Sequence, residues 1–301
     1  MNMNEIQKLE HICQYDEWVG HESLHPLVSV IDFSTCPDVD YIPRQYYGFY
    51  AVFLKDARCG DLRYGRQYYD YQQGTLVFFA PGQIVDVEKQ GKKYHPKGWG
   101  LLFDPELIKG TSLARSMKNY SFFSYTSNEA LHLSEQERHT FLDCLGNIEV
   151  ELHHNIDKHS KMLIASNIEL LLNYCIRFYD RQFITRENVN KDILLRFEQL
   201  IQSYYFSDSP RNCGLLTVAQ CADTLHLSAN YFGDLIKKQT GKTAQEHLQM
   251  KLMDIAKEKI LAPDKSISEV AYDLGFQYPQ HFTRSFKQYV GCSPSEYRQL
   301  G

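Results

Sequence analysis

The 301-residue sequence has no long hydrophobic run, and its cysteines lack the spacing of a disulfide frame or a metal site. No apolar stretch approaches the roughly twenty residues of a membrane-spanning helix, and the N-terminus has no basic segment followed by an apolar core. The eight cysteines include no C-x-x-C pair, which indicates small buried thiols in a reducing compartment. We therefore expect a soluble, cytoplasmic protein that makes no membrane contact.

Strong positive charge is also missing. The formal net charge is -5 at pH 7, which would argue against a nucleic-acid partner if the charges were evenly spread. From Arg211 onward, however, 11 Lys and Arg stand against 9 Asp and Glu, whereas the preceding residues carry 21 against 28. This weak local excess predicts modest non-specific affinity for DNA, moderate salt dependence and binding that is helped by dimerisation.

The last third of the chain does contain a repeat with a period of about fifty residues. Six residues of the first copy recur in kind in the second: Asn230, Phe232, Lys237, Gly241, Thr243 and Glu246 return as Gln280, Phe282, Lys287, Gly291, Ser293 and Glu296. Each copy predicts a short helix, a tight turn and a second helix that ends at a lysine and a glycine. This order is typical of a helix-turn-helix, which is present here twice.

Capping patterns predict where these helices start. Thr217-x-x-Gln220 and Ser266-x-x-Glu269 are capping boxes that open the first helix of each copy. A third box, Thr243-x-x-Glu246, starts a long helix through about Leu261, which would fix the distance between the copies. The second helix of the second copy is expected to bury Phe282, Ser285, Phe286 and Tyr289.

One stretch of the second copy is especially specific in its offsets. It runs through Ser266-Ile267-x-Glu269-Val270-Ala271, Leu274-Gly275-Phe276, Phe282-x-Arg284-x-Phe286-Lys287, Gly291-x-Ser293-Pro294 and Tyr297-Arg298. With these motifs, the chain over roughly residues 192 to 301 resembles the DNA-binding domain of the AraC/XylS transcriptional regulators. The resemblance implies two recognition helices that enter successive major-groove segments on one face of the duplex, about one helical turn apart.

The resemblance also implies which side chains meet DNA. Base edges would be contacted by early residues of each recognition helix: Ala229, Asn230, Gly233 and Asp234 in the first, and Gln280, His281, Thr283 and Arg284 in the second. Phosphates would be contacted by Lys237, Lys238, Lys242, Lys287 and Arg298. Asn and Gln can pair bidentately with adenine and Arg with guanine, whereas phosphate contacts position the protein without reading sequence.

Asp234 departs from the family pattern, because its repeat partner is Arg284 and most of the family carries a neutral-to-basic residue there. A carboxylate beside phosphates is repelled unless it accepts a hydrogen bond from a cytosine amino group. We therefore expect the second helix-turn-helix to contribute more base discrimination than the first. The ordinary alternatives are a surface ion pair for Arg284, exposed amides for Asn230 and Gln280, and solvated lysines.

Residues 1–133 carry short apolar and aromatic runs separated by Gly, Pro and Asp, which favour an antiparallel β-barrel or double sheet. The predicted strands are Leu27–Phe33, Tyr46–Leu54, Gly74–Phe79, Ile84–Val87 and Gly98–Phe103. Under the family resemblance this region is a cupin-like β jelly-roll that senses an effector. The whole chain would then be an α+β multidomain protein with an all-α, double helix-turn-helix C-terminal domain.

Histidine is absent where a metal-binding cupin would need it. Metal cupins carry a histidine cluster with a nearby glutamate, and the corresponding stretch, Arg63 to Tyr69, has no histidine. We therefore expect no metal, no cofactor and no catalytic residue, and so not an enzyme. A small-molecule effector is expected instead; sugars are common in the family, but no residue here identifies its contacts.

Two amphipathic helices are predicted within residues 134–190. Ser134-x-x-Glu137 is a capping box, and apolar residues follow it at three- and four-residue steps. A second helix begins at about Lys158 and carries Leu163 and Ile164 on its apolar side. The resemblance places dimerisation in such helices, and the alternative is that both only cover their own barrel.

The polar stretch Thr185 to Asn190 is the expected hinge before a helix from Asp192 to Phe206, which opens the DNA-binding domain of residues 191–301. For the whole chain we expect a sequence-specific DNA-binding transcription regulator. It would be a ligand-responsive activator that acts as a homodimer, with double-stranded DNA and RNA polymerase as partners. Two alternatives stay open: an effector-independent or partner-controlled regulator, and a cupin enzyme fused to a DNA-binding domain.

Overall fold

A computed structural model describes residues 6–40, 44–55, 74–86, 93–94, 97–125, 129–185, 187–262 and 265–300. The chain divides into two compact units, Met1–Thr185 and Arg186–Gly301. The predicted helical segment therefore lies, up to Thr185, within the first unit.

Two sheets and a short strand pair make up the β structure described in the first unit. The strands are β1 Gln7–Leu9, β2 Val28–Asp32, β3 Val39–Asp40, β4 Arg44–Tyr47, β5 Tyr50–Lys55, β6 Thr75–Phe79, β7 Ile84–Asp86, β8 Lys93–Tyr94, β9 Gly98–Phe103 and β10 Leu131–His132. One antiparallel sheet has the order β10-β6-β5-β9-β2, a second has the order β1-β4-β7, and β3 pairs with β8. The first unit therefore contains sheets, as the sequence predicted, and this agrees with the α+β class expected for the whole chain.

The segment Tyr46–Leu54 was predicted as one strand, and this prediction was wrong. The chain breaks at Gly48, between β4 and β5, because Gly48 approaches the backbone before the first helix. Its N–H donates to the carbonyl of Leu9 at 2.8 Å, and a Cβ there would lie 2.4 Å from the carbonyl oxygen of Glu10. Residues 7–9 and the helix α1, Ile12–Val19, were not predicted as structured.

The core of the first unit lies between the two sheets and is rich in aromatic rings. Tyr47 of β4 and Phe79 of β6 meet edge to face with centroids 5.8 Å apart, and Tyr15 of α1 lies 5.9 Å from Tyr47. The other face of the larger sheet is covered as well, since Phe78 lies 4.4 Å from Phe122. Because both faces are buried, residues 51–54 of β5 and 76–79 of β6 are continuously apolar instead of alternating.

Among the described residues, four α-helices follow in the first unit: α2 Pro105–Ile108, α3 Ser112–Ser116, α4 Glu135–His153 and α5 Ser160–Thr185. The predicted capping box at the start of α4 is confirmed, because Ser134 and Glu137 each bond the other's backbone N–H. α5 is attached to β10 through Gln182, whose side chain accepts from the N–H of His132 and donates to the carbonyl of Ala130.

In its described residues, the second unit consists of helices: α6 Glu187–Tyr205, α7 Ser209–Cys213, α8 Val218–Thr224, α9 Ala229–Thr240, α10 Ala244–Leu261, α11 Ile267–Asp273, α12 Pro279–Val290 and α13 Pro294–Leu300. The helix α6 begins at Glu187 instead of Asp192, so the prediction of a hinge through Asn190 was wrong. Polar residues are also compatible with a helix, and polarity alone therefore did not mark a loop.

Candidate nucleic-acid interface

The first helix-turn-helix consists of α8 and α9. The Thr217 hydroxyl accepts from the N–H of Gln220, whose side chain accepts from the N–H of Thr217, so the predicted capping box is confirmed. The turn passes through His226, which has a positive φ of 58°. Ser228 then caps α9 by accepting from the N–H of Tyr231 at 3.2 Å.

The helix α9 separates a buried aromatic face from an exposed polar start. Phe232 is fully buried and meets Phe197 of α6 edge to face, with centroids 4.9 Å apart. Of the predicted base-reading residues, Ala229 and Asn230 are exposed, whereas Gly233 and Asp234 are half-buried. Gly241 ends the helix with a positive φ of 73°. Because its inner face is fixed in the core, α9 presents its N-terminal turn to solvent.

The second helix-turn-helix, α11 and α12, repeats this arrangement with a glycine in the turn. Ser266 and Glu269 form the predicted capping box. The backbone N–H of Ser266 donates to the Glu269 carboxylate and holds the pKa of Glu269 below its usual value. Gly275 has a φ of 88°, and a Cβ there would lie 2.6 Å from the carbonyl carbon and oxygen of Gly214. Only glycine fits this turn without displacing the preceding segment.

The recognition helix α12 also buries its aromatic face. Phe282 and Phe286 are fully buried and meet Phe276 and Tyr297 at 5.3 and 5.6 Å. Tyr289 was expected in the core but is 44% exposed, so that prediction was wrong. It is the penultimate residue of the helix, three residues beyond Phe286, which is the last fully buried ring of α12.

The base-reading residues predicted for α12 lie on its solvent side. Gln280, His281 and Arg284 are exposed, and Thr283 is half-buried with its hydroxyl donating to the carbonyl of Pro279 at 3.0 Å. The structure therefore brings these four residues together on the first two turns of one helix. In both repeats the residues proposed to read bases occupy the N-terminal half of the second helix.

The predicted phosphate contacts divide into two groups. Lys237, Lys238, Lys242 and Lys287 are exposed near the C-terminal ends of α9 and α12. Arg298 is half-buried, and its Nε donates to the carbonyl of Ile260 at 2.6 Å. Since that bond ties α13 to the last turn of α10, Arg298 has a structural role in addition to any contact with DNA.

The helix α10 connects the two repeats, as predicted. Its residues Leu248, Leu252, Ala256 and Ile260 are buried. Gln249 of α10 donates to the Ser285 hydroxyl of α12 at 2.9 Å. A helix that contacts both recognition helices and has a continuous buried side is expected to hold their spacing fixed.

Asp273 at the end of α11 is a buried carboxylate that the sequence analysis missed. It pairs with Arg211 of α7 and with Lys265, whose Nζ lies 2.6 Å from Asp273 Oδ2. Burial by itself raises the pKa of Asp273, but the hydrogen bonds from Lys265 and Arg211 outweigh that effect and hold it below its usual value. The nearest sequence signal was a charged residue on the inner side of a predicted helix.

Among the described residues, no group of three or more His, Cys, Asp or Glu is placed to hold a metal ion. The stretch Arg63 to Tyr69, on which the argument against a metal cupin rests, lies outside the described residues. No helix in the described part of the chain is long and apolar enough to cross a membrane.

Comparison with known proteins identifies the C-terminal region. A helix-turn-helix domain family matches residues 221–300. The Transposon Tn10 TetD protein of Escherichia coli is 31% identical over 145 residues, which cover 48% of this chain and 91% of TetD. The chain belongs to the AraC/XylS family. The resemblance inferred from the repeated motifs is thereby confirmed.

Two further relatives of this family region are similar over shorter stretches. The uncharacterized transcriptional regulatory protein YesN of Bacillus subtilis is 34% identical over 79 residues, or 26% of this chain and 22% of YesN. The melibiose operon regulatory protein of Escherichia coli K12 is 29% identical over 85 residues, or 28% of each chain. The chain thus spans about a fifth to a quarter of these two relatives.

Proposed function

We propose that this protein is a sequence-specific DNA-binding transcription regulator. The observation that carries the proposal is the pair of helices α9 and α12, each with a buried aromatic side and an exposed N-terminal turn, both packed with α10. Base contacts are assigned to Ala229, Asn230, Gly233 and Asp234 and to Gln280, His281, Thr283 and Arg284. Phosphate contacts are assigned to Lys237, Lys238, Lys242 and Lys287, with Arg298 as a further candidate.

The test uses Arg284, the exposed residue best suited to a bidentate contact with guanine. We expect Arg284→Ala to weaken binding to a site selected from random DNA by about 1 to 3 kcal/mol, with little effect on unrelated DNA. Lys287→Ala on the same helix is the matched control, because loss of a phosphate contact weakens binding to all sequences alike. Equal losses on both DNAs for Arg284→Ala would contradict a base-reading role.

We further propose that the protein acts as a homodimer through the helical segment that ends the first unit. Apolar side chains remain exposed at and near the connection of α4 and α5: Val150, Ile156, Met162 and Leu163. Exposed apolar groups concentrated in one segment support an interface with a second copy. Sedimentation equilibrium tests this: the wild type should be dimeric and Leu163→Glu monomeric, with the exposed polar exchange Lys161→Glu as control.

Residues 1–133 are proposed to be a cupin-like sensor, which a dimerisation segment, residues 134–190, joins to the DNA-binding domain, residues 191–301. Two sheets that enclose an aromatic core support this assignment. One relative is named for the melibiose operon, so sugars are the first effector class to test. A bound effector would favour one arrangement of the two DNA-binding domains of the dimer, the one that activates transcription by RNA polymerase.

A second candidate, an effector-independent regulator, is favoured by the close packing between the described strands. Tyr47 lies 5.5 to 6.3 Å from the rings of Phe49, Phe53 and Phe79, so side chains occupy that space. Thermal unfolding with a panel of sugars and organic acids separates the two candidates, because a ligand of the folded state raises Tm. Metal analysis of the purified protein separately tests the third alternative, a cupin enzyme fused to the DNA-binding domain.

A further inference from the structure

The start of α12 differs from the starts of four other helices in the second unit. The helices α8, α9, α10 and α11 each begin after a Ser or Thr whose hydroxyl accepts a backbone N–H. At the corresponding position α12 has Tyr278, whose side chain makes no capping hydrogen bond. Its repeat counterpart in the first helix-turn-helix is the capping residue Ser228.

Tyr278 is placed outward instead of toward the core. It is 60% exposed, and its ring meets that of His281 edge to face, with centroids 5.4 Å apart. Its backbone is extended, with φ -128° and ψ 120°, as expected before Pro279. An aromatic ring is thus held beside His281, at the N-terminal end of the helix that is proposed to enter a major groove.

From this geometry we propose that Tyr278 is a specificity-determining residue that contacts the C5-methyl group of a thymine in the second half-site. The proposal rests on the proposed DNA-binding function. In the major groove the methyl group distinguishes thymine from the other bases, and apolar side-chain surface is what recognises it. Tyr278 is a large, exposed ring at a position where Ser, Thr, Asp or Asn would cap the helix. Such departures from local preference are expected at functional positions.

The experiment replaces thymines of the selected site by uracil, one at a time, which removes only the methyl group. For the wild type, one thymine in the second half-site should show about a fourfold loss of affinity on replacement, the effect of burying one methyl-sized group. Tyr278→Ser, which restores the cap of the first repeat, should bind both DNAs equally. Tyr278→Phe should keep the discrimination, and Tyr289→Ser at the other end of α12 should also keep it.

Three results would overturn the proposal. The first is that Tyr278→Ser retains the preference for thymine over uracil. The second is that the wild type loses no affinity when any single thymine of the site is replaced by uracil. A loss for Tyr278→Phe that is equal on every sequence would assign the phenol hydroxyl to a phosphate instead. Failure of the proposed function is distinguishable from these, because the wild-type protein would then select no sequence from random DNA.

Discussion

In the first helix-turn-helix the recognition helix begins after Ser228 and presents Gly233 and Asp234, whereas in the second it begins after Tyr278 and presents Thr283 and Arg284. Both helices are twelve residues long and end at a left-handed glycine. The two copies thus share their scaffold but differ in the side chains that we propose to contact DNA. We therefore predict that the repeated fold does not carry a repeated reading function, and that the second copy discriminates bases better than the first.

The largest difference in stability between the repeats is expected in their turns. Gly275→Ala should lower the free energy of unfolding of the second unit by about 3 kcal/mol, because a Cβ would press on the Gly214 backbone at positive φ. Gly241→Ala is the matched control: its φ is also positive but nothing lies within 4 Å of the added carbon, so only about 1 kcal/mol is expected. Equal losses in urea unfolding would show that the contact with Gly214 is unimportant.

The next effect concerns Asp273 of the second repeat. Thr224 holds the corresponding position in the first repeat, at the end of α8, and its hydroxyl donates to the carbonyl of Gln220 in the same helix. Asp273→Asn should destabilise the second unit by about 2 kcal/mol at pH 7, because Arg211 and Lys265 lose their charged partner. The pKa of Asp273 is lowered in the folded protein, so its contribution is present above about pH 4 and lost as pH falls through the lower folded value.

Urea unfolding of the wild type and Asp273→Asn between pH 7 and pH 3 measures this contribution. The difference between the two proteins should shrink as the pH falls. Thr224→Val serves as the control in the first repeat and should change little at any pH. A difference that stays constant down to pH 3 would contradict a role for the charge.

A smaller effect, on DNA affinity, is expected from a substitution that makes the two recognition helices more alike. Asp234→Arg removes a carboxylate and places in α9 the residue type that α12 carries at the repeat-related position 284. Affinity for unrelated DNA should rise by about 1 kcal/mol, with a steeper dependence on salt, because repulsion of phosphate is replaced by attraction. Titration at two salt concentrations measures this, and unchanged affinity would mean that residue 234 does not approach DNA.

The smallest effect is expected at His226, the non-glycine residue with positive φ in the first turn. His226→Gly should stabilise the second unit, by less than about 1 kcal/mol, since relief of strain is offset by the greater freedom of glycine in the unfolded chain. Thermal unfolding measures the change. A lower Tm would show that the His226 side chain contributes more than its strained backbone costs.

The second unit was largely predictable because its helix signals are local. Capping boxes at Thr217, Thr243 and Ser266 predicted three helix starts, and buried residues such as Phe232 followed from helical spacing. Contacts between distant residues carried no such signal. Neither the pairing of Asp273 with Arg211 nor the outward placement of Tyr278 could be read from spacing.

In the first unit, the bounds of the strands depend on contacts with residues outside each predicted segment, so the sequence predicted them less well. The close approach of Gly48 to the Glu10 backbone divides a continuous apolar run into two strands. The strands β3, β8 and β10 have only two residues each, too few for periodicity to detect. Strand pairing, unlike helix formation, depends on neighbours that are distant in the sequence.

The central claim, that one chain reads two successive major-groove segments unequally, is tested most directly by methylation interference at guanine N7. The DNA is a site selected by the wild-type protein from random sequence. We expect two clusters of interfering guanines on one face of the duplex, about 10 base pairs apart. Arg284→Ala should abolish the interference in only one of these clusters. A single cluster, or two clusters that respond equally to Arg284→Ala, would contradict the account.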